Sequence, residues 1–551
     1  MGKREKDKRF DNLPDCAVEF IRLVIKKMRY RKSVRQDVQH ELTVHFEDEL
    51  KGCASDKEKE QKARQLISEF GDVKLLAVLL RRAKKRCRPL WQKVIVRSLQ
   101  AVVVIFLYLL LCVSPLLVGR PTISVDYVER LNERIQAGRD EAGNARPYYE
   151  KAVELYIKPP QWLDLSKIVW LADFNDVEFK SLAVWLENNQ KAFEALRTAA
   201  EYPYYWNRYQ RSKKAVLYDM FFFFGNVTPD NPQHRYRHLA YAMRWLIRYE
   251  AYNGDVVSAL KDCIVLQKFG KHLQGKGLLD EQLRGISIEA FALDEIRTIL
   301  DKCDVSADAL KMAQEELARQ FDEQELIINL YAEKLFYYDF IQKTFTDDGK
   351  GGGRVLIKGL PLAVKDWKGV LAGLASFNYL DRQELTQRID KIYQQVEQLQ
   401  RITPWDAKSE VKQENFDEIV KDSFLLKLLA PSPNGLNRFA WGLKTHRKGL
   451  LTILAILRYQ KEKSRYPARL DELVGEGYLD KLPMDPYSAS PLVYKKVDDD
   501  FLLYSVGFNF KDDGGESGKD SKGRPTKWRD NGDTVFWPVP EFKQNRSADS
   551  E

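Results

Sequence analysis

Four aspartates near the C-terminus are the residues of this 551-residue chain whose types and spacing are best suited to binding a metal ion. They share one glycine-rich loop and are Asp512, Asp513, Asp530 and Asp533. Calcium takes six to eight oxygen ligands from carboxylates and carbonyls, so this loop could close around that ion. The loop is not an EF-hand, because Gly523 stands at the twelfth position counted from Asp512, where that motif needs glutamate. A solvated acidic turn is the alternative, and the residues alone leave both interpretations open.

Signatures of catalysis are missing from the sequence. The segment HELTVH at 40–45 has Val44 where the zinc-binding HExxH motif needs histidine. The sequence also lacks a nucleophile elbow, a Walker A loop and a dinucleotide-binding fingerprint. Adjacent acids such as Asp280 and Glu281 are expected to be solvated helix faces rather than a general acid and base. We therefore expect no catalytic residue, while an active site assembled from distant helices stays open.

An uncharged stretch of twenty residues at 99–118 is the most prominent element of the chain before these residues. At 1.5 Å per residue this stretch is about 30 Å long as a helix, which is the thickness of the hydrocarbon core. Up to Arg97 the chain has 26 lysines and arginines against 15 acids, although the whole chain has 89 against 80. This asymmetry predicts a single transmembrane helix in an inner membrane, with a cytoplasmic N-terminus and an extracytoplasmic C-terminal bulk. The basic cluster before the helix would also favour anionic lipid.

The N-terminal residues 1–88 are predicted to form a basic, cytoplasmic, helical domain. Its segments repeat apolar residues at spacings of three and four, which is typical of amphipathic helices. The pattern from Arg35 through His45 and Asp48, followed by ARQLISEFGDVKLLAVLL, resembles the HAAS or permease-prefix domains. That resemblance implies a regulatory or protein-contact role rather than chemistry.

Residues 121–430 are predicted to be an extracytoplasmic helical domain of hairpin-like pairs. The fragment YEAYNGDVVSAL is typical of a helical-repeat turn, but no clean repeat of 34 residues follows it. The many aromatic residues are expected in the core rather than in a ligand cage. Cys263 and Cys303 could pair in an exported domain, or each could be buried separately.

Residues 436–545 change character and are predicted to be a small α+β domain. A long amphipathic helix stops before Pro467, a short second helix follows, and strand-like runs begin at PLVYKKV, DDDFLLYSVGF and DTVFWPV. This order favours a helix laid on a small antiparallel sheet.

The same region resembles the globular domain of the major pseudopilin of type II secretion systems. The matching residues are Arg465–Pro467, Leu470, Leu473, Leu482–Tyr487, Pro491–Tyr494, Tyr504–Gly507, Asp512–Gly515 and Asp533–Phe536. The resemblance implies a helix against a short sheet, often with calcium in the loop before the last strand. The chain departs from that family in its long intervening region and in the insertion GESGKDSKGRPTKWRDN.

These observations predict the fold class and the function together. We expect a mainly α, multidomain chain with one transmembrane helix and a C-terminal pseudopilin-like domain. Its function would be that of a membrane-anchored interaction or scaffold protein that binds a protein partner outside the inner membrane. The alternatives are an exported enzyme and a diverged component of a type II secretion system. Basic and acidic residues balance after the hydrophobic stretch, so no nucleic-acid partner is expected.

Overall fold

The computed structural model describes two compact units, residues 1–112 and residues 113–551. The residues that it describes are 10, 12–86, 90–163, 170–171, 174–209, 232–322, 325–356, 381–410, 416–421, 423, 426, 430, 432–521 and 523–539. Each unit has its own hydrophobic core. The boundary predicted between residues 430 and 436 stays a prediction, and one core extends across it.

The first unit is helical throughout its described residues. Its helices are α1 (Asp15–Lys27), α2 (Lys32–Leu50), α3 (Asp56–Phe70), α4 (Val73–Arg86) and α5 (Leu90–Leu117), which runs across the unit boundary. Helices α3 and α4 begin with ordinary capping bonds: Ser55 accepts the backbone N–H of Glu58 at 3.3 Å, and Asp72 accepts that of Leu75 at 3.0 Å. The core centres on Phe20, Phe46 and Phe70, whose ring centroids lie 5.8–6.1 Å apart.

The transmembrane helix predicted at 99–118 is wrong. Among the residues that the structure describes, no helix is both long enough and apolar enough to cross a membrane. The side chains at 112–117 lie outside those described.

The topology inferred from that helix is corrected with it. The single-pass membrane anchor, the inner-membrane localisation, the cytoplasmic N-terminus and the extracytoplasmic bulk all depended on a segment that crosses the membrane. The fold class is corrected in the same respect. The structure supports a mainly helical chain whose described residues contain one small sheet.

The second unit contains fourteen further helices among its described residues. They are α6 (Tyr127–Gln136), α7 (Arg146–Leu155), α8 (Asp176–Asn188), α9 (Gln190–Ala200), α10 (Pro232–Tyr252), α11 (Val256–Leu273), α12 (Leu279–Lys302), α13 (Ala307–Gln320), α14 (Tyr331–Thr344), α15 (Arg382–Arg401), α16 (Pro404–Glu410), α17 (Phe416–Val420), α18 (Pro433–Lys463) and α19 (Leu470–Gly475). Helices α11 and α12 have the most extensive contact between elements.

Two glycines set the distance between α11 and α12. A Cβ built on Gly270 would lie 2.5 Å from the backbone N of Glu289, and one built on Gly285 would lie 2.4 Å from the carbonyl O of Gly270. The two backbones are therefore in direct contact at this crossing. This close approach brings the polar side chains of the last turn of α11 against those of α12.

Helix α18 is the central support of the C-terminal part. It packs against α12, α13, α15 and the last strand. A Cβ on Gly449 would lie 2.7 Å from the ring of Phe536, so the sheet also approaches the helix at a glycine. The helix ends at Lys463, and Ser464 adopts a left-handed conformation with φ of 55°.

The sheet has three antiparallel strands in the order β1 (Val493–Val497), β2 (Asp500–Ser505) and β3 (Thr534–Trp537). Val493 pairs with Tyr504, and a bulge between Leu503 and Tyr504 shifts the register toward β3. Every residue of β3 is buried.

Cys263 and Cys303 are both free thiols, so they do not form a disulfide.

Candidate functional site

The aspartates predicted to bind calcium lie on the aspartate loop, residues 512–521 and 523–533, but each has a partner within the protein. Asp533 is buried, and its two oxygens accept the backbone N–H groups of Asp513 at 3.2 Å and Gly515 at 2.7 Å. Asp512 Oδ1 accepts the Tyr504 hydroxyl at 2.7 Å. These bonds fold the loop back onto β2 and β3.

The other two aspartates face different partners. Asp530 forms an ion pair at 2.9 Å with Arg438 of α18, and Asp513 accepts the Asn509 amide at 2.6 Å. Within the described part of the chain, no group of three or more histidine, cysteine, aspartate or glutamate side chains is arranged to hold a metal ion. The structure thus uses these carboxylates to order the loop, and calcium binding stays a prediction.

A different part of the second unit offers a cavity of ligand size. The tyrosine cleft, as we call it, has a volume of about 430 Å³ and lies between the segment after α9, the end of α11 and the loop after α13. Its lining is mostly polar and consists of Arg139, Ala200, Glu201, Tyr202, Pro203, Tyr204, Tyr205, Lys268, Lys271, His272, Gln274, Gly275, Gln320, Glu325, Leu326 and Asn329. Ligand pockets generally measure about 300–1,000 Å³, so this one is large enough for a small molecule or a few peptide residues.

Two asparagines hold the wall of the tyrosine cleft in place. Asn144 accepts the Trp206 N–H at 3.1 Å and donates to the Trp206 carbonyl at 3.1 Å. Asn132 of α6 makes the same pair of bonds with the backbone of Tyr209, at 2.9 and 3.1 Å. Each amide replaces one residue of a neighbouring strand, so residues 204–209 stay extended without belonging to a sheet.

A buried ionic network forms the floor of the cleft. Arg447 of α18 binds Glu289 of α12 through two bonds of 2.7 Å. Gln274 donates to the same carboxylate at 2.5 Å, and Glu325 binds the other side of Arg447 at 3.0 Å. Burial acts to raise the pKa of Glu289, but Arg447 and the amide donors outweigh it and hold this pKa below its ordinary value. Glu289 is therefore charged and fully paired.

The cations at the cleft differ in how well they are neutralised. Lys268 pairs with Glu201 at 3.2 Å and Glu316 at 3.5 Å, and Lys271 lies 3.8 Å from Glu325. Arg139 instead donates to the Tyr205 carbonyl at 3.3 Å and lies 5.4 Å above the ring of Tyr204. Among the described residues no carboxylate pairs with this guanidinium. Arg139 is thus a cation that a negatively charged ligand could neutralise.

Beneath the cleft lies a second, much smaller cavity of about 10 Å³. It shares Tyr205, His272 and Gly275 with the cleft and is also lined by Trp206, Tyr209 and Glu281. The indole N–H of Trp206 is buried without a hydrogen-bond acceptor in the described structure. A volume of about 10–15 Å³ corresponds to one water molecule, so this cavity is too small for a substrate.

Two buried glutamates near the small cavity have strongly raised pKa values. Burial, reinforced by Asp280, raises the pKa of Glu281 to about 7, although the Tyr209 hydroxyl donates to it at 2.5 Å. Burial likewise raises the pKa of Glu333 to about 7 against a 2.7 Å bond from the Leu279 N–H. The expectation that Asp280 and Glu281 lie on a solvated helix face is wrong for Glu281, which is only 4% exposed.

His272 joins the two cavities and is held neutral. Its Nδ1 lies 2.7 Å from the Tyr149 hydroxyl, and burial lowers the pKa of the imidazole to about 4. At pH 7 the ring therefore adds hydrogen-bonding capacity to the cleft without adding charge.

No family model matches the chain, and no curated protein or solved structure is significantly similar to it. The resemblances of the N-terminal helices to HAAS domains and of the C-terminal region to pseudopilins therefore stay predictions.

Sequence reasoning did not find the tyrosine cleft, because its residues come from five separate segments. One signal was available: YPYYW at 202–206 places three tyrosines and a tryptophan beside a proline, outside any helical period. Such a cluster in an extended segment presents rings and hydroxyls alternately to two sides.

Proposed function

We propose that this protein is a binding protein whose second unit recognises an acidic peptide segment of a protein partner in the tyrosine cleft. The observation that carries this proposal is Arg139, a guanidinium stacked on Tyr204 at a polar cleft of about 430 Å³ and paired with no described carboxylate. Guanidinium groups bind carboxylates through parallel N–H donors, which gives both affinity and orientation.

The alternation of charges supports a peptide rather than a highly charged polyanion. Glu201 and Glu325 lie in the same cleft as Lys268 and Lys271, so a ligand with many negative charges would meet repulsion as well as attraction. A segment with one or two acidic side chains would place a carboxylate on Arg139 and backbone groups along the remaining wall. Rigid backbone at 204–209, fixed by Asn132 and Asn144, would lower the ordering cost of binding.

Fluorescence anisotropy with labelled peptides would test this proposal on the full chain. We expect peptides with one or two Asp or Glu residues to bind better than the same peptides with Asn or Gln, and binding should weaken with added salt. Arg139→Ala should reduce affinity by about tenfold or more, because one charge-assisted contact contributes about 1.5–3 kcal/mol.

Arg130→Ala is the matched control. Arg130 lies on α6 and stacks on Tyr127 at 5.8 Å, but it does not line the cleft. Equal binding of the acidic and amide peptides, or equal losses for Arg130→Ala and Arg139→Ala, would rule out the proposed site.

An enzyme is the second candidate, and a specific observation favours it. Glu281 and Glu333 both have pKa values near 7, which is the range suited to general acid and base catalysis. The nearby cavity of about 10 Å³ leaves no room for a substrate to reach Glu281, however. Binding is therefore the function that the geometry supports better.

A further inference from the structure

A second cluster of charged side chains lies where the C-terminal segment meets α12 and α18. The Lys527 ammonium contacts the Asp294 carboxylate and lies 3.4 Å from His446 Nε2. Asp294 Oδ1 is in turn 3.3 Å from His446 Nε2 and 3.7 Å from Arg297 Nη1. One carboxylate therefore faces a lysine, an arginine and a histidine.

Arg297 adds a second positive charge beside Lys527, although Asp294 and Asp301 both attract it. It is only 3% exposed, and its Nε and Nη1 make no hydrogen bond in the described structure. A guanidinium does not lose its proton in proteins, so Arg297 opposes a second positive charge beside it. Burial, together with Arg297, lowers the pKa of Lys527 to about 8, although Asp294 acts in the opposite direction. A lysine beside another cation is a recognised way to obtain a neutral amine near pH 7.

The amine belongs to a partly exposed side chain, and a neutral imidazole lies beside it. The Lys527 side chain is 20% exposed and that of Asp294 is 41% exposed, so a small reagent can approach from the side of Asp294. His446 is buried near the ring of Phe536, with centroids 6.3 Å apart. Burial and the neighbouring Lys527 lower the pKa of His446 to about 4, so its ring is neutral at pH 7 and adds no positive charge beside the amine.

We propose that Lys527 is a nucleophilic amine that condenses with small aldehydes, in a site formed with Asp294, Arg297 and His446. The lone pair of Nζ attacks the carbonyl carbon, and a carbon–nitrogen bond forms. The carbonyl oxygen then leaves as water with the two hydrogens of the neutral amine, which gives an imine. Water on the exposed side of Asp294 carries the proton from the attacking nitrogen to the departing oxygen, and no oxidant or reductant is consumed.

Reductive trapping on the full chain tests this inference. The protein is incubated with propanal and cyanoborohydride, a hydride donor that converts the imine into a stable secondary amine, and each lysine is quantified by peptide mass spectrometry. At pH 7 we expect Lys527 to be labelled at least about tenfold faster than Lys461, since a pKa near 8 rather than 10.4 leaves far more neutral amine. Lys461 is a stringent comparison, because it also pairs with an acid, Asp304, and its side chain is more exposed, at 38%.

The pH profile and two variants distinguish an activated amine from mere accessibility. Labelling of Lys527 in the unmodified protein should be half-maximal near pH 8. Arg297→Gln should slow its labelling at pH 7, and Asp294→Asn should accelerate it, because the first removes a repelling charge and the second an attracting one. Lys527→Arg should remove the labelled peptide. Labelling of Lys527 no faster than that of Lys461, or a half-maximum above about pH 10, would overturn the inference.

Discussion

The aspartate loop and the tyrosine cleft both contain charged side chains of either sign but use them in opposite ways. In the loop, the carboxylates lie close in sequence, and most bind backbone N–H groups of the loop or side chains close by in sequence, such as Asn509. Asp530 is the exception, since it pairs with Arg438 of α18. At the cleft and its floor, Glu289, Arg447 and Lys271 come from three helices. The Glu289–Arg447 contact joins residues 158 positions apart, and Lys271 pairs with Glu325 of a later segment.

This difference separates charges that order a loop from charges that build a site. Local carboxylates can be satisfied by the turn that they create, so their clustering in sequence says little about a ligand. The cleft instead needs a rigid framework to hold distant charges, and it leaves Arg139 without a described acidic partner. The following predictions test whether the two regions differ in this way, starting with the largest effect.

Arg447→Met should destabilise the second unit by about 3–5 kcal/mol, because it leaves Glu289 buried and without its cation. Glu289 is fully buried and Arg447 is 3% exposed. Denaturant unfolding of the full chain gives the free energy of unfolding. The double variant Arg447→Met with Glu289→Gln should recover much of the loss, since it removes both charges. Equal stability of the single and double variants would mean that the pair does not hold the floor of the cleft together.

Gly285→Ala should cost about 3 kcal/mol, because the new methyl group would lie 2.4 Å from the Gly270 carbonyl and 2.7 Å from the Gln274 backbone N. Backbone atoms cannot move aside as a flexible side chain can, so α11 and α12 must separate. Thermal melting measures the loss. Gly475→Ala is the control, since no atom lies within 4 Å of its added Cβ and its helical conformation suits alanine. A similar small shift in both variants would contradict the close crossing.

In the Glu281→Gln variant, the free energy of unfolding should fall less as the pH rises above neutral than it does in the unmodified protein. The folded pKa of Glu281 is about 7 against an ordinary 4.5, so the folded state binds the extra proton. Its contribution is fully present below pH 4.5 and is lost as the pH rises through 7. Between pH 4.5 and pH 8.5 the variant should gain up to about 3 kcal/mol relative to the unmodified protein, at about 1.4 kcal/mol per pKa unit.

The control for this experiment is Glu187→Gln, at an exposed position of α8. Free energies of unfolding measured across the pH range should give parallel curves for this control and the unmodified protein. If Glu281→Gln also runs parallel, the carboxyl is not protonated in the folded state. The small cavity would then have to admit water to a charged Glu281.

Local patterns predicted much of the C-terminal fold because the information is local there. The strand-like runs at PLVYKKV and DDDFLLYSVGF become β1 and β2, and the helix before Pro467 ends at Lys463. Hydrophobicity alone misled the interpretation of 99–118, since an uncharged stretch in sequence is not itself a membrane-spanning helix in the described structure.

The cleft could not be predicted in the same way. Its geometry depends on the approach of Gly270 to Gly285 and on the side-chain amides of Asn132 and Asn144. No periodicity links these positions, and the ring-rich segment 202–206 does not show which helices it meets. The burial of Glu281 could not be predicted either. An acidic pair has the same sequence whether it faces water or packs against a helix.

The smallest effects should come from the aspartate loop. Asp530→Asn removes an ion pair in which Asp530 and Arg438 are 61% and 51% exposed, so stability should change by no more than about 1 kcal/mol. Asp533→Asn should cost about 1–3 kcal/mol, because an amide can accept only one of the two buried N–H bonds.

If the calcium prediction holds, calcium should raise the melting temperature of the unmodified chain and not that of Asp533→Asn. A melting temperature that is the same with calcium and with chelator would leave the loop as a hydrogen-bonded turn, and the contrast with the cleft would then be complete.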